Sequence, residues 1–140
     1  MSFLNSILKV FVGDKSKQDV KAVMPLVEKV KSFEKQIAQL SHDELRGKTV
    51  EFKSKIAEVR ATVEDKITAL EEEAETSENI DRKENIYQEI DKLKDESYKL
   101  TEDLLNDILP EAFAVVKETA KRFRDNTTIT VKATTYDREL

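Results

Sequence analysis

Cysteine is absent from this chain, which excludes disulfides, thiolate zinc sites and thiol catalysis. Glycine and proline occur only twice each. That is too few for the many tight turns of a β-sandwich or a doubly wound sheet. With Gly13 and Gly47 as the only glycines, no Gly-x-x-x-x-Gly-Lys-[Ser/Thr] loop can be assembled to cradle a phosphate. His42 is the single histidine; it has no second histidine or thiolate to share a metal with, and a first-turn position predicts solvent around it. No apolar run approaches the ~20 residues that cross a bilayer. The N-terminus lacks the basic stretch and cleavage site of a secretory signal, so the expectation is a soluble, cytoplasmic protein. Basic surplus is missing too: the net charge is −5, which argues against a nucleic-acid partner.

What the chain does have is charge. Of its 140 residues, 38% are charged and 39% hydrophobic, a balance that suits long helices packed side by side, each burying a narrow stripe. The predicted fold is all-α: a long antiparallel coiled-coil hairpin with flanking N- and C-terminal helices, and a lone β-strand as an option at the C-terminus.

Residues 1–13 read as an amphipathic docking helix. Phe3, Leu4, Ile7, Leu8 and Phe11 share a face, Lys9 falls elsewhere on the helix, and Gly13 is placed to end the helix. The apolar face either packs on its own domain or docks on a membrane surface or another protein. Residues 14–40 carry the stripe Val20, Val23, Val27, Val30, Phe33, Ile37 and Leu40, with a kink or break predicted at Pro25. Ser41-His42-Asp43-Glu44 is a capping box that opens the next helix.

Residues 41–108 form the hairpin. Leu45, Thr49, Phe52, Ile56, Val59, Val63, Ile67, Leu70 and Ala74 recur at spacings of four and three, as do Ile86, Ile90, Leu93, Ser97, Leu100, Leu104 and Ile108. Thr76-Ser77-Glu78-Asn79 is the turn between them. Glu71, Glu72, Glu73, Glu75 and Glu78 crowd this tip; lacking the bend glycine and fixed oxygen spacing of a calcium loop, they read as a solvated end rather than a metal site. Residues 109–125 make a further helix, with Pro110 in its first turn and the stripe Leu109, Phe113, Val116, Ala120 and Phe123. In residues 126–140 the β-branched alternation of Ile129, Val131 and Ala133 is a strand signal; with nothing here to pair with, the segment is expected to be the start of a next, truncated domain, to pair with another copy, or to be disordered. No catalytic set, cofactor site or metal site stands out.

Two stretches carry a resemblance. Leu109-Pro110-Glu111-Ala112-Phe113-Ala114-Val115-Val116-Lys117-Glu118 and Leu40-Ser41-His42-Asp43-Glu44-Leu45-Arg46-Gly47-Lys48-Thr49-Val50-Glu51-Phe52-Lys53 resemble, in the same order, segments of the N-terminal region of SecA, the motor ATPase of bacterial preprotein translocation. Leu8-Lys9-Val10-Phe11 is a weaker third match. The resemblance implies an N-terminal piece of a much larger ATP-hydrolysing parent, cut before its phosphate loop. This chain alone is expected to hydrolyse nothing and to hold no cofactor, with ATP and Mg belonging to the parent.

The implied partners are the translocon channel, an acidic phospholipid surface, the rest of the motor domain and, through the parent, secretory preproteins; a homodimer is a further option. The implied place is the cytoplasm, peripheral to the cell membrane. By resemblance, Phe3, Leu4, Ile7, Leu8, Lys9 and Phe11 are the membrane- or partner-contact residues. The chain departs from the typical pattern between Phe52 and Leu109, where the hairpin reads as an insertion whose role the resemblance does not supply. The alternative is a free-standing coiled-coil adaptor.

Overall fold

The computed structural model describes the backbone of residues 3–140 and the side chains of residues 17–140. Its regular structure is helical: α1 (Phe3–Ala38), α2 (His42–Thr76), α3 (Ile80–Asp125) and the short α4 (Thr135–Glu139). The chain forms two compact units with interleaved sequence. One combines Met1–Leu40 with Pro110–Thr127, the other Ser41–Leu109 with Thr128–Leu140.

In the first unit, α1 runs through both Gly13 and Pro25. The predicted stop at Gly13 does not occur. A mid-helix glycine costs about 1 kcal/mol, which the neighbouring turns absorb. Nor does Pro25 break the helix: Lys21, whose carbonyl loses its amide partner there, is exposed to water, as is Pro25 itself. The stripe is covered only from Val27 onward. Val20 and Val23 remain exposed, while Ile37 is completely buried.

Pro110 also lies inside a helix rather than at the start of one. Its ring frees the carbonyl of Asn106, on an exposed residue that water can serve. The predicted helix start therefore marks the boundary between the two units while the helical backbone continues across it. Beyond it, Ala114 and Val115 are buried. Arg122 joins the unit together: its Nη2 donates to the carbonyl of Leu40 at 2.7 Å, just past the C-terminal end of α1, and its Nε donates to Glu118 at 2.9 Å. A guanidinium there suits both the unfilled carbonyls and the negative end of the α1 dipole.

In the second unit, α2 opens on the predicted capping box. The Ser41 amide donates to Glu44 Oε2 at 2.7 Å and the Glu44 amide donates to Ser41 Oγ at 3.3 Å. His42, expected in solvent, is half-buried. Leu45, Phe52, Ile56, Val59, Val63, Ile67, Leu70 and Ala74 are all covered to some degree, and only Thr49 of the predicted stripe is exposed.

The hairpin turn is residues 77–79. Ser77 caps α2 by donating its amide to the Glu73 carbonyl, and Asn79 caps α3 by accepting from the Arg82 amide at 3.1 Å. Ala74, Ile86 and Ile90 form the core near the tip, with Ile67 and Leu70 packed on it. Further along α3 the stripe shifts: Leu100 is exposed and Thr101 is covered in its place. The steps from Leu93 to Ser97 to Thr101 are both of four residues, a stutter that carries the covered line round the helix, where a 4-3 alternation drifts only about 20° per heptad. Thr101 can sit there because its hydroxyl donates to the Ser97 carbonyl at 2.8 Å.

The predicted strand is absent. Residues 128–134 form no ladder, and no strand occurs among the described residues. Without a partner strand, the Lys132 and Thr134 amides pair with side chains instead.

Gly47 lies inside α2, exposed, with nothing within 4 Å of where a Cβ would stand. Gly47→Ala is therefore expected to stabilise the protein by about 0.5–1 kcal/mol. Urea unfolding measures it; a loss of stability would show that the site is tighter than its geometry.

Candidate functional site

The strand-like segment finds its partners on the first turns of α2. The Lys132 amide donates to Asp43 Oδ1 at 2.8 Å. Arg46 reaches across with both arms: Nη1 donates to the Lys132 carbonyl at 3.3 Å, and Nη2 donates to Asp137 Oδ1 and Oδ2 at 2.7 and 2.8 Å. Asp137 is itself built into the cap of α4, accepting from the Thr134 amide at 2.7 Å and hydroxyl at 2.9 Å. The result is a clasp that holds residues 128–140 against the start of the hairpin. It uses polar contacts where sequence patterning suggested a strand, and only the Thr134–Asp137 capping spacing could have foretold part of it.

The Arg46 guanidinium, then the Thr134 amide and hydroxyl, hold the Asp137 carboxyl at about 2, below its ordinary 3.8. A depressed carboxylate contributes stability above its unfolded-state value and loses it as the pH falls through the folded one. The clasp should therefore be intact at neutral pH and give way only between about pH 4 and 2. Carbon-detected NMR of the Asp137 carboxyl should show a midpoint near 2 in this chain and a return toward 3.8 in Arg46→Ala. A midpoint that Arg46→Ala leaves in place would refute the pairing.

The first unit offers two surfaces. One is apolar: on α3, Phe113, Val116 and Phe123 are 53%, 64% and 70% exposed, while Ala114 and Val115, only one position away, are buried. The sequence stripe is thus real, but it is not the face that this unit uses for its own packing. Scattered exposed apolar residues are ordinary, whereas these three large ones are aligned on one helix face.

The second is a groove of about 850 Å³, with Ala38, Ala114 and Ala120 in its lining and Lys31, Lys35, Lys117, Lys121 and Arg124 around it. Two carboxylates also line it, and both are paired: Glu34 accepts from Lys117 at 2.6 Å, and Glu118 is paired with Arg122 and lies 3.7 Å from Lys121. The side chains of Phe3, Leu4, Ile7, Leu8, Lys9 and Phe11, the contact residues named from the sequence, lie outside the described residues.

At the hairpin tip Arg82 donates twice to Glu73, at 2.6 and 2.8 Å, and Glu71, Glu72, Glu75 and Glu78 are exposed. Among the described residues no three histidine or carboxylate side chains gather as a metal site. None of the helices, over those same residues, is long and apolar enough to cross a membrane. Gly13 and Gly47 both lie inside helices.

Comparison with known proteins is decisive for the family. Residues 8–137 match the model of the SecA DEAD-like domain. The chain is similar over its whole length to the protein translocase subunit SecA of Christiangramia forsetii at 61% identity, and to that of Flavobacterium psychrophilum at 56%; each alignment takes in 12% of the relative. The same-named subunit of Phocaeicola vulgatus is 46% identical, again over the whole chain and 13% of the relative. The chain thus spans about 12% of the length of the curated relatives it matches. These alignments run through the hairpin, so the stretch that departs from the typical pattern is shared with these relatives. No solved structure matches the chain.

Proposed function

The chain belongs to the SecA DEAD-like domain family, and from that premise we propose that it is the docking and supporting section of an ATP-driven preprotein translocase. The observation that carries this reading is the whole-chain similarity to subunits named protein translocase SecA. In this role the helices hold rather than catalyse. The exposed Phe113–Val116–Phe123 face is the seat for the remainder of the motor domain, where ATP and Mg act. The α2–α3 seam works as a coiled coil that stiffens the hairpin. Phe3, Leu4, Ile7, Leu8 and Phe11, with Lys9, dock on the translocon or on acidic phospholipid at the cytoplasmic side of the membrane. With Lys9 as the one cation in that stretch, the apolar face dominates and electrostatics add about 1 kcal/mol.

Two measurements test the reading. The 140 residues should bind no ATP by calorimetry; measurable binding would refute a supporting role without catalysis. Vesicles containing anionic lipid should co-sediment the chain, and Phe3→Ser with Leu8→Ser should reduce the bound fraction at least tenfold. Unchanged sedimentation would remove the docking face.

A further inference from the structure

Along the hairpin, α3 carries an apolar line that the packing of this unit does not use. Ile80, Tyr87, Tyr98 and Leu105 all stand exposed, Ile80 and Tyr98 most of all. Their spacings of 7, 11 and 7 residues return to one side of a helix to within about 20°. That side is about a quarter turn away from the buried Ile86 and Ile90, so the line is a separate face and not an edge of the seam. Nor is it ordinary scatter. Across the hairpin, α2 exposes no large hydrophobic residue from Glu51 to Thr76, and Leu100, the other exposed apolar residue in this part of α3, points the opposite way. One flank of the line is acidic. Glu84, Asp91, Asp95 and Glu102 all lie within about 70° of it on the same side. All four are exposed, and none of them takes part in an ion pair among the described residues. Lys94 lies on the other flank.

We propose that this face of the hairpin docks a basic amphipathic helix of a partner protein. The partner's apolar stripe lies along Ile80, Tyr87, Tyr98 and Leu105, and its lysines and arginines lie along Glu84, Asp91, Asp95 and Glu102. Charge selects the partner: an uncharged or acidic helix would leave those four carboxylates against apolar or like-charged surface. From Ile80 to Leu105 the face runs about 38 Å at 1.5 Å per residue, the length of a helix of about seven turns. Tyr87 and Tyr98 suit the role of anchors, because each offers a large ring and a hydroxyl at little cost in conformational entropy.

The test is an NMR titration of the isotope-labelled chain with a synthetic peptide of three Leu-Lys-Lys-Leu-Leu-Lys-Leu heptads. The amides that shift should lie in residues 80–105 of α3, with micromolar affinity. Tyr87→Ser with Tyr98→Ser should weaken binding at least tenfold, and so should Asp91→Lys with Asp95→Lys. All four side chains are exposed, so both variants keep the fold, which circular dichroism checks. A peptide of the same composition with its stripe scrambled should bind at least tenfold more weakly than the amphipathic one. The proposal is overturned by an absence of shifts in residues 80–105, by shifts centred on the tip carboxylates or on the Phe113–Val116–Phe123 face, or by equal affinity for the scrambled peptide. Concentration-dependent shifts of the same amides without peptide would give the face to a second copy and overturn it too.

Discussion

Ile86→Ala is expected to destabilise the hairpin by about 3 kcal/mol. Ile86 has no exposed surface and meets Ala74 and Ile90, with Ile67 and Leu70 packed around them. Truncating a buried isoleucine removes its transfer free energy and leaves a cavity, a combined cost of about 2–5 kcal/mol. The relief available here is small, because Ala74 on the facing helix is too short to fill the gap. Against a total stability on the order of 5–15 kcal/mol, the loss is large. Urea unfolding followed by circular dichroism should show the midpoint fall without a change in helix content at zero urea. Ile86→Val, which keeps most of the volume, should cost about 1 kcal/mol. Equal losses for the two variants would mean that the site tolerates a cavity and that the tip core is not the anchor of this unit.

Arg122→Ala is the second large effect, about 2 kcal/mol, and it should appear in the other unit. The Arg122 and Glu118 side chains are only 11% and 13% exposed. Removing the guanidinium leaves the Leu40 carbonyl and the Glu118 carboxylate short of a donor in a place where water has limited access. Hydrogen exchange should locate the damage: amides in the last turns of α1 and around Ala114 and Val115 speed up, while those near Ile86 and Ile90 keep their protection. Arg122→Lys should recover only part of the loss, because one ammonium cannot serve Leu40 and Glu118 in the fork geometry of arginine. Uniform acceleration in both units would contradict a local role.

Much of this architecture was legible in the residues. The alternation of apolar positions from Leu45 to Ala74 placed α2, and the Ser41–Glu44 spacing placed its start to the residue. These signals are local, and local signals survive folding. The helix end expected at Gly13 and the helix start expected at Pro110 do not occur for one shared reason: each is a helix breaker by propensity, and propensity is worth a few kcal/mol at most, which a long helix with exposed carbonyls to spare can absorb. The strand signal of Ile129, Val131 and Ala133 failed because β-propensity needs a partner edge, and the segment meets Asp43 and Arg46 instead. The Arg46–Asp137 pair spans 91 positions, and no periodicity reports a contact of that kind. Composition likewise gave only a net charge; it took the folded first unit to gather Lys31, Lys35, Lys117, Lys121 and Arg124 around one groove.

The interleaving of the two units sets an order of events during synthesis. The hairpin needs only residues 41–109, which leave the ribosome as one continuous stretch, and its contacts near the tip join residues close in sequence. Its helices can pair as soon as Leu109 has emerged. The first unit must wait. Ile37 is translated early, yet Ala114, Val115 and Arg122, which complete its unit, come some eighty residues later. Throughout that interval the apolar stripe from Val27 to Leu40 stands open on the nascent chain. It is the stretch a holding chaperone would find first, and the arrival of Arg122 at the Leu40 carbonyl is what would end the encounter.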